Sequence, residues 1–456
     1  MRKVLAHSPR LYRALGAPTK FTLSFFCEKD GLYGNFLKTN EIGEKERMPA
    51  LLKITLILAA ILILIRFKVA LSITLLSSAL ALGFLFNLSL PKIGLSFFKG
   101  AMDPETLLLT ASLLLILFFS AIMKETGNMT RAIAALQEIF RDARATVAII
   151  PAIIGILPIM GGAMLSAPLV LEASDELKLS AERRTFINYW FRHIWEYTLP
   201  TYPVIILIST IVSLPVAKVS LMNLPLTIAS ITVGIFLGFR GVHSIARSAV
   251  PLSIEQTTRI LGSFIANLLP FFLILLLTLY FKIHLAYSLA LSTIGTILYY
   301  RLPASLIRRL GKESFSWEIV FLIWGIMIFK EILEASGAMN SVVKDFARMG
   351  MPSPVLIIAL PFILGMITGY SNALVGLSFP ILLPFFQANE HSLLYVMLAY
   401  ASGFCAVLLS PMHACLVMTR EYFHADMNKL YRMLILPVSI IFFTGVAVVL
   451  ISLWLR

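Results

Sequence analysis

This amino-acid sequence specifies an all-α polytopic membrane protein: two inverted repeats, each of about five transmembrane helices plus a re-entrant hairpin, with discontinuous helices. Three observations carry that expectation: the share of apolar residues, the recurrence of bilayer-length apolar runs, and a glycine and proline pattern in which Gly127, Pro151 and Gly155 return as Gly337, Pro361 and Gly365. Of 456 residues, 59% are hydrophobic and 14% are charged, against about 25% charged in a typical soluble domain. Too few polar side chains remain to cover a water-facing surface. Apolar runs of about 20 residues, the length that crosses hydrocarbon at 1.5 Å per residue, recur from Ala50 almost to the C-terminus.

The formal net charge of +14 sits in short connections between these runs, where positive charge reports topology rather than a nucleic-acid surface. Cys27, Cys405 and Cys415 are scattered, two of them inside apolar runs, which fits neither a disulfide framework nor a clustered metal site. Residues 1–48 differ from the rest. They are mixed in charge and lack an uninterrupted signal-peptide core. They read as an N-terminal extension, either disordered or the artefact of an upstream start with translation beginning at Met48.

Twelve apolar segments follow. The first repeat, within 49–240, holds segments at about 50–65, 69–90, 105–123, 146–171, 186–213 and 222–239. The second, within 241–456, holds about 260–281, 283–300, 317–333, 354–386, 393–418 and 434–454. One shared offset nearly superposes the two sets, as internal duplication does in many secondary transporters. The fourth segment of each set is the exception. Pro151, Gly155, Pro158, Gly161, Gly162 and Pro168 fall in one, and Pro361, Gly365, Gly369 and Gly376 in the other. Proline removes a helical donor and glycine permits a sharp reversal, so both are expected to be hairpins that return to the side they entered. If all twelve segments crossed, Lys and Arg would divide almost evenly. With two hairpins, most of them fall on one side, which the positive-inside tendency makes cytoplasmic. Ten crossings then remain, and an odd five per repeat inverts the second repeat relative to the first.

Irregular backbone at membrane depth must be satisfied by protein, water or ligand, which places a candidate site where the breaks meet. In the fifth segment Asn188, Arg192, His193 and Glu196 share a helical flank at three- and four-residue spacings. Pro200 and Pro203 then break the helix. Intramembrane ionisable groups pair or line a polar cavity. The plain alternative is an Arg192–Glu196 pair that holds two helices together. The functional reading gives Arg192 and His193 to an anionic substrate, and Glu196 to a coupling cation or a carried proton. Gly161, Gly162, Ser166, Thr368, Ser371, Asn372 and Ser410 complete the expected substrate shell, with Thr201 and Asn372 offering oxygens to a cation. For any single hydroxyl, back-bonding to its own helix competes with such a role. The aromatic cluster Tyr189, Trp190, Phe191, Trp195, Tyr197 and Tyr202 reads as packing or interfacial anchoring. His243, His284, His391 and His424 have no compact His/Cys/Asp group beside them, so no metal is expected.

The stretch Pro158 to Pro168, followed by Asn188 to Glu196, resembles the hallmark regions of a bacterial and archaeal membrane family called domain of unknown function 401, over roughly residues 49–450. That family is grouped with the ion transporter superfamily of secondary carriers. The resemblance implies paired hairpins, a dimerising scaffold and an elevator-like transport part, in a prokaryotic cytoplasmic or inner membrane. It further implies transport of a small organic anion coupled to Na+ or H+. Dicarboxylate relatives carry Ser-Asn-Thr at both hairpin tips. Here Ser371, Asn372 and Ala373 keep two of the three, whereas hairpin one reads Met160, Gly161, Gly162, Ala163. That departure leaves the two-sodium arrangement and dicarboxylate specificity without support. A homodimeric carrier with no cofactor beyond a bound Na+ is the resulting expectation, with membrane lipid but no nucleic acid as partner. A cation/proton antiporter is the alternative. An enzyme is not expected, since no nucleophile stands with a convincing base.

Overall fold

The computed structural model describes residues 48–140, 142–157, 162–243, 253–387 and 392–455. Gly161, Pro158, His391 and nearly all of the N-terminal extension lie outside them. Among the described residues every regular element is helical. The first half runs α1 (Ala50–Arg66), α2 (Leu71–Leu85), α3 (Leu90–Met102), α4 (Pro104–Glu125), α5 (Asn128–Ile139), α6 (Ala143–Gly155), α7 (Gly162–Ser174), α8 (Ala181–His193), α9 (Pro203–Ile211), α10 (Val216–Met222) and α11 (Leu224–Gly238). The second runs α12 (Ile254–Leu275), α13 (Leu285–Tyr299), α14 (Ala304–Ser314), α15 (Trp317–Ala335), α16 (Ala338–Arg348), α17 (Ser353–Thr368), α18 (Ser371–Gln387), α19 (Ser392–Leu409), α20 (Ala414–Phe423) and α21 (Met427–Trp454). A single π turn, Leu276–Tyr280, extends α12.

The second half repeats the first almost element for element. Both copies of the turn before α5 and α16 use a left-handed glycine, Gly127 at φ +72° and Gly337 at +67°. Packing partners are exchanged between the halves: α15 lies on α2 and α3, while α4 lies on α13 and α14. Neither half could bury its own apolar faces alone in this arrangement.

Among the described residues, five helical stretches are long and apolar enough to cross a membrane: Pro104–Glu125, Val216–Gly238, Ile254–Tyr280, Ser392–Phe423 and Met427–Trp454. They make this a multi-pass membrane protein. The stretches differ in depth within the protein. Of the most apolar window in Ser392–Phe423, 83% is buried, against 28% in Ile254–Tyr280. The first is therefore at the centre, and the second presents Leu261, Ile265, Leu269 and Leu276 outward, as a lipid-facing helix must.

One expectation needs correction. The stretches 124–145 and 334–350 are not simple connections, since each contains a helix, α5 and α16. Both mix charged and apolar residues, so their amphipathic period escaped a search for continuous apolar runs. Of the two readings of the aromatic cluster, packing is the one the structure supports. Tyr189, Trp190, Phe191, Tyr197 and Tyr202 are all buried, and the Trp190 indole donates to the Ser230 carbonyl at 2.9 Å, so this is packing.

Candidate functional site

Each fourth segment folds as two helices packed side by side, α6 on α7 and α17 on α18. At 13 residues, α6 and α7 each reach about 20 Å, short of a hydrocarbon core of about 30 Å. The second reversal is made by Gly369, which caps α17 at φ +61°. Beyond each hairpin comes a broken helix. α8 ends at His193 and α9 begins at Pro203; α19 ends at Leu409 and α20 begins at Ala414.

Glycine decides how each hairpin meets its broken helix. A Cβ on Gly155 would collide with the Arg192 carbonyl oxygen, and one on Gly365 with the Gly403 carbonyl oxygen. Both outer arms thus rest backbone against backbone. Hydrogen bonds fasten the contact. The Tyr202 hydroxyl donates to the Gly155 carbonyl at 2.5 Å and the Trp195 indole to Ala152 at 2.8 Å. In the second half, Ser402 and Ser410 donate to the Ile358 and Met366 carbonyls at 2.8 and 2.7 Å.

The side chains of the break between α8 and α9 face both hairpins. The Arg192 guanidinium lies over Gly162, where a Cβ would come within 2.6 Å of its central carbon. Arg192 and His193 are 6% and 5% exposed, so a cation sits deep in the protein against the inner arm of hairpin one. Glu196 reaches the other hairpin, accepting from the Ser371 hydroxyl at 2.6 Å. Its backbone carbonyl accepts from Tyr400 at 2.9 Å. His193 and His413 meet with their Nε2 atoms 3.2 Å apart. Hairpins and broken helices from both halves therefore converge on Arg192, His193 and Glu196.

Asn188 donates to the Ala163 carbonyl at 3.1 Å, and its Oδ1 has no hydrogen-bond partner among the described residues. The same holds for the Thr201 hydroxyl and the Tyr197 hydroxyl, all three side chains being essentially buried. A buried polar atom without a partner is costly and calls for an explanation such as a bound ion or solute. Other expected residues are used locally. Ser166 bonds back to Gly162 and Ala163 at 3.3 and 3.2 Å, and Thr368 to Leu364 at 2.7 Å. Asn372 donates to Tyr370 at 2.9 Å and is half-buried. Ser410 braces the break, also accepting from the Met412 N–H at 3.1 Å.

Tyr400 and Cys415 were not among the expected site residues. Each acts across a contact between distant parts of the chain, which no local spacing can show. Clefts also open elsewhere. One of about 570 Å³ lies between hairpin one and α11, lined by Phe191, Ile194, Trp195, Ile235 and Phe239. It is predominantly apolar, and neither Arg192 nor Glu196 lines it.

Residues 50–453 match the family described as protein of unknown function, DUF401. The chain belongs to that family. The match spans both halves, from α1 to the last turn of α21. No curated protein matches this DUF401 chain.

Proposed function

We propose that this DUF401 protein is a secondary active transporter of a small organic anion, coupled to Na+ or H+. The observation that carries the reading is the deep convergence of two hairpins and two broken helices on Arg192 and Glu196. Helix breaks cost stability inside a membrane unless they line something, and a buried guanidinium beside helix ends is an anion-binding chemistry. Thr201 and Asn188 supply oxygens of the kind a coupling cation uses, and Glu196 can take a proton. Alternation of access would move both hairpins with their broken helices against the remaining helices, an elevator-type motion in a homodimer of the prokaryotic cytoplasmic membrane.

A thermal-shift screen of the purified protein against organic and amino acids, with and without Na+, selects the solute, and reconstituted vesicles then measure its uptake. Arg192→Gln is expected to lower uptake by about a hundredfold or more while membrane insertion stays normal. Uptake at the wild-type rate would remove Arg192 from the site and the reading with it. The Glu196–Ser371 hydrogen bond favours a second reading, a cation/proton antiporter in which the carboxylate exchanges the two ions. Cation-driven proton movement without any organic solute would select it.

A further inference from the structure

His193 and His413 present a proton count that does not close. His193 Nδ1 lies 2.6 Å from the Tyr189 carbonyl oxygen, and His413 Nδ1 lies 2.7 Å from the Gly369 carbonyl oxygen. A carbonyl oxygen only accepts, so each Nδ1 must carry a proton. Neutral imidazole has one proton, which leaves both Nε2 atoms as lone pairs, and these face each other at 3.2 Å. Three contacts require three protons, and two neutral rings hold two. Something positive belongs between the nitrogens.

A third donor stands beside them. The Cys415 sulfur and the two imidazole donor atoms all lie within 4.8 Å of one another. Both histidines are buried, and Cys415 is half-buried in the first turn of α20. From these donors we propose a site for a Zn2+-class divalent ion, bound by His193 Nε2, His413 Nε2 and the Cys415 thiolate. Two nitrogens bound to zinc at the tetrahedral angle stand about 3.3–3.4 Å apart, close to the separation found here. The protonated Nδ1 atoms donating to backbone carbonyls are the outer support that metal-ligating histidines use to fix their tautomer. Three protein ligands leave a fourth position for water or solute, as in open rather than purely structural zinc sites. The ligands come from both broken helices, His193 at the end of α8, with His413 capping and Cys415 opening α20. His413 is further tied to the tip of hairpin two through Gly369, so the ion would clamp that tip to both breaks.

The site is testable without any transport assay. Purified full-length protein, stripped with chelator and dialysed against Zn2+, is expected to retain about one ion per chain. With Co2+ as a spectroscopic substitute, a near-ultraviolet sulfur-to-cobalt charge-transfer band is expected from the wild type. Cys415→Ser should abolish that band, and His413→Gln should weaken Zn2+ retention by about tenfold or more, with gel-filtration profiles unchanged. Failure of the wild-type protein to retain Zn2+ would overturn the proposal, leaving a third proton between the rings. A cobalt spectrum without a thiolate band would overturn it as well. Neither outcome depends on the variants folding.

Discussion

The two hairpins are built on one backbone plan and given different chemistry. In both, a glycine in the outer arm, Gly155 or Gly365, admits a carbonyl of the following broken helix, and a proline four residues earlier sits inside the same arm. The side chains around the two joints have diverged. The first broken helix carries Arg192, His193 and Glu196. The corresponding stretch of the second carries Ser402 and Gly403 and contributes His413 only at the far end of its break. Shape is thus duplicated while the charge at the joints is confined to one half.

The largest test of the comparison is all-or-none. Thr130→Cys and Asn340→Cys occupy equivalent exposed positions in α5 and α16. In a background lacking the native cysteines, an impermeant thiol reagent should label them from opposite membrane faces. Labelling from one face would show that the repeats are not inverted. Next in size are the joints themselves. Gly155→Val and Gly365→Val should each destabilise the protein by about 3 kcal/mol or more, through overpacking against backbone that cannot move aside. Thermal unfolding in detergent checks this, and tolerance at only one of the two positions would break the equivalence.

The charge asymmetry predicts a smaller, specific coupling. In a double-mutant cycle, Glu196→Ala and Ser371→Ala should show an interaction of about 1.5–3 kcal/mol, as for hydrogen bonds to charged groups. A coupling near zero would mean that the 2.6 Å contact does not join the halves energetically. The smallest effects belong to the matched left-handed turns. Gly127→Ala and Gly337→Ala should each cost about 1–2 kcal/mol, because a Cβ is disfavoured at positive φ, measured again by thermal unfolding.

Much of the plan was legible in the sequence because it rests on residue types with strong local meaning. Gly369 reverses the chain where a hairpin was expected, and Pro203 opens α9 just after the break that Pro200 and Pro203 announced. Arg192, His193 and Glu196 stood out because charge in hydrocarbon is rare. Helices α5 and α16 did not stand out, since a short amphipathic helix looks like a polar connection when only continuous apolarity is sought. The pairing of His193 with His413 was invisible for a different reason. It depends on how four elements from two halves close upon one another, and nothing in either local sequence encodes the other's position. Ser166 and Thr368 show the converse. Their residue type suggested contact with a solute, yet each hydroxyl bonds back to its own helix.

Gly155 and Gly365 mesh with the neighbouring main chain like single notches cut to one tooth. Axial slipping would carry each notch away from the carbonyl seated in it, and a shift of one turn, about 5.4 Å, would bring the face of Pro151 or Pro361 into its place. Hairpin and broken helix are therefore geared together and cannot glide past each other. Sliding is left to surfaces where side chain meets side chain, such as α9 on α4 and α18 on α16, where Phe385 meets Phe346. Spin labels spanning those two seams, rather than any pair within a hairpin joint, are where a change of distance would be recorded.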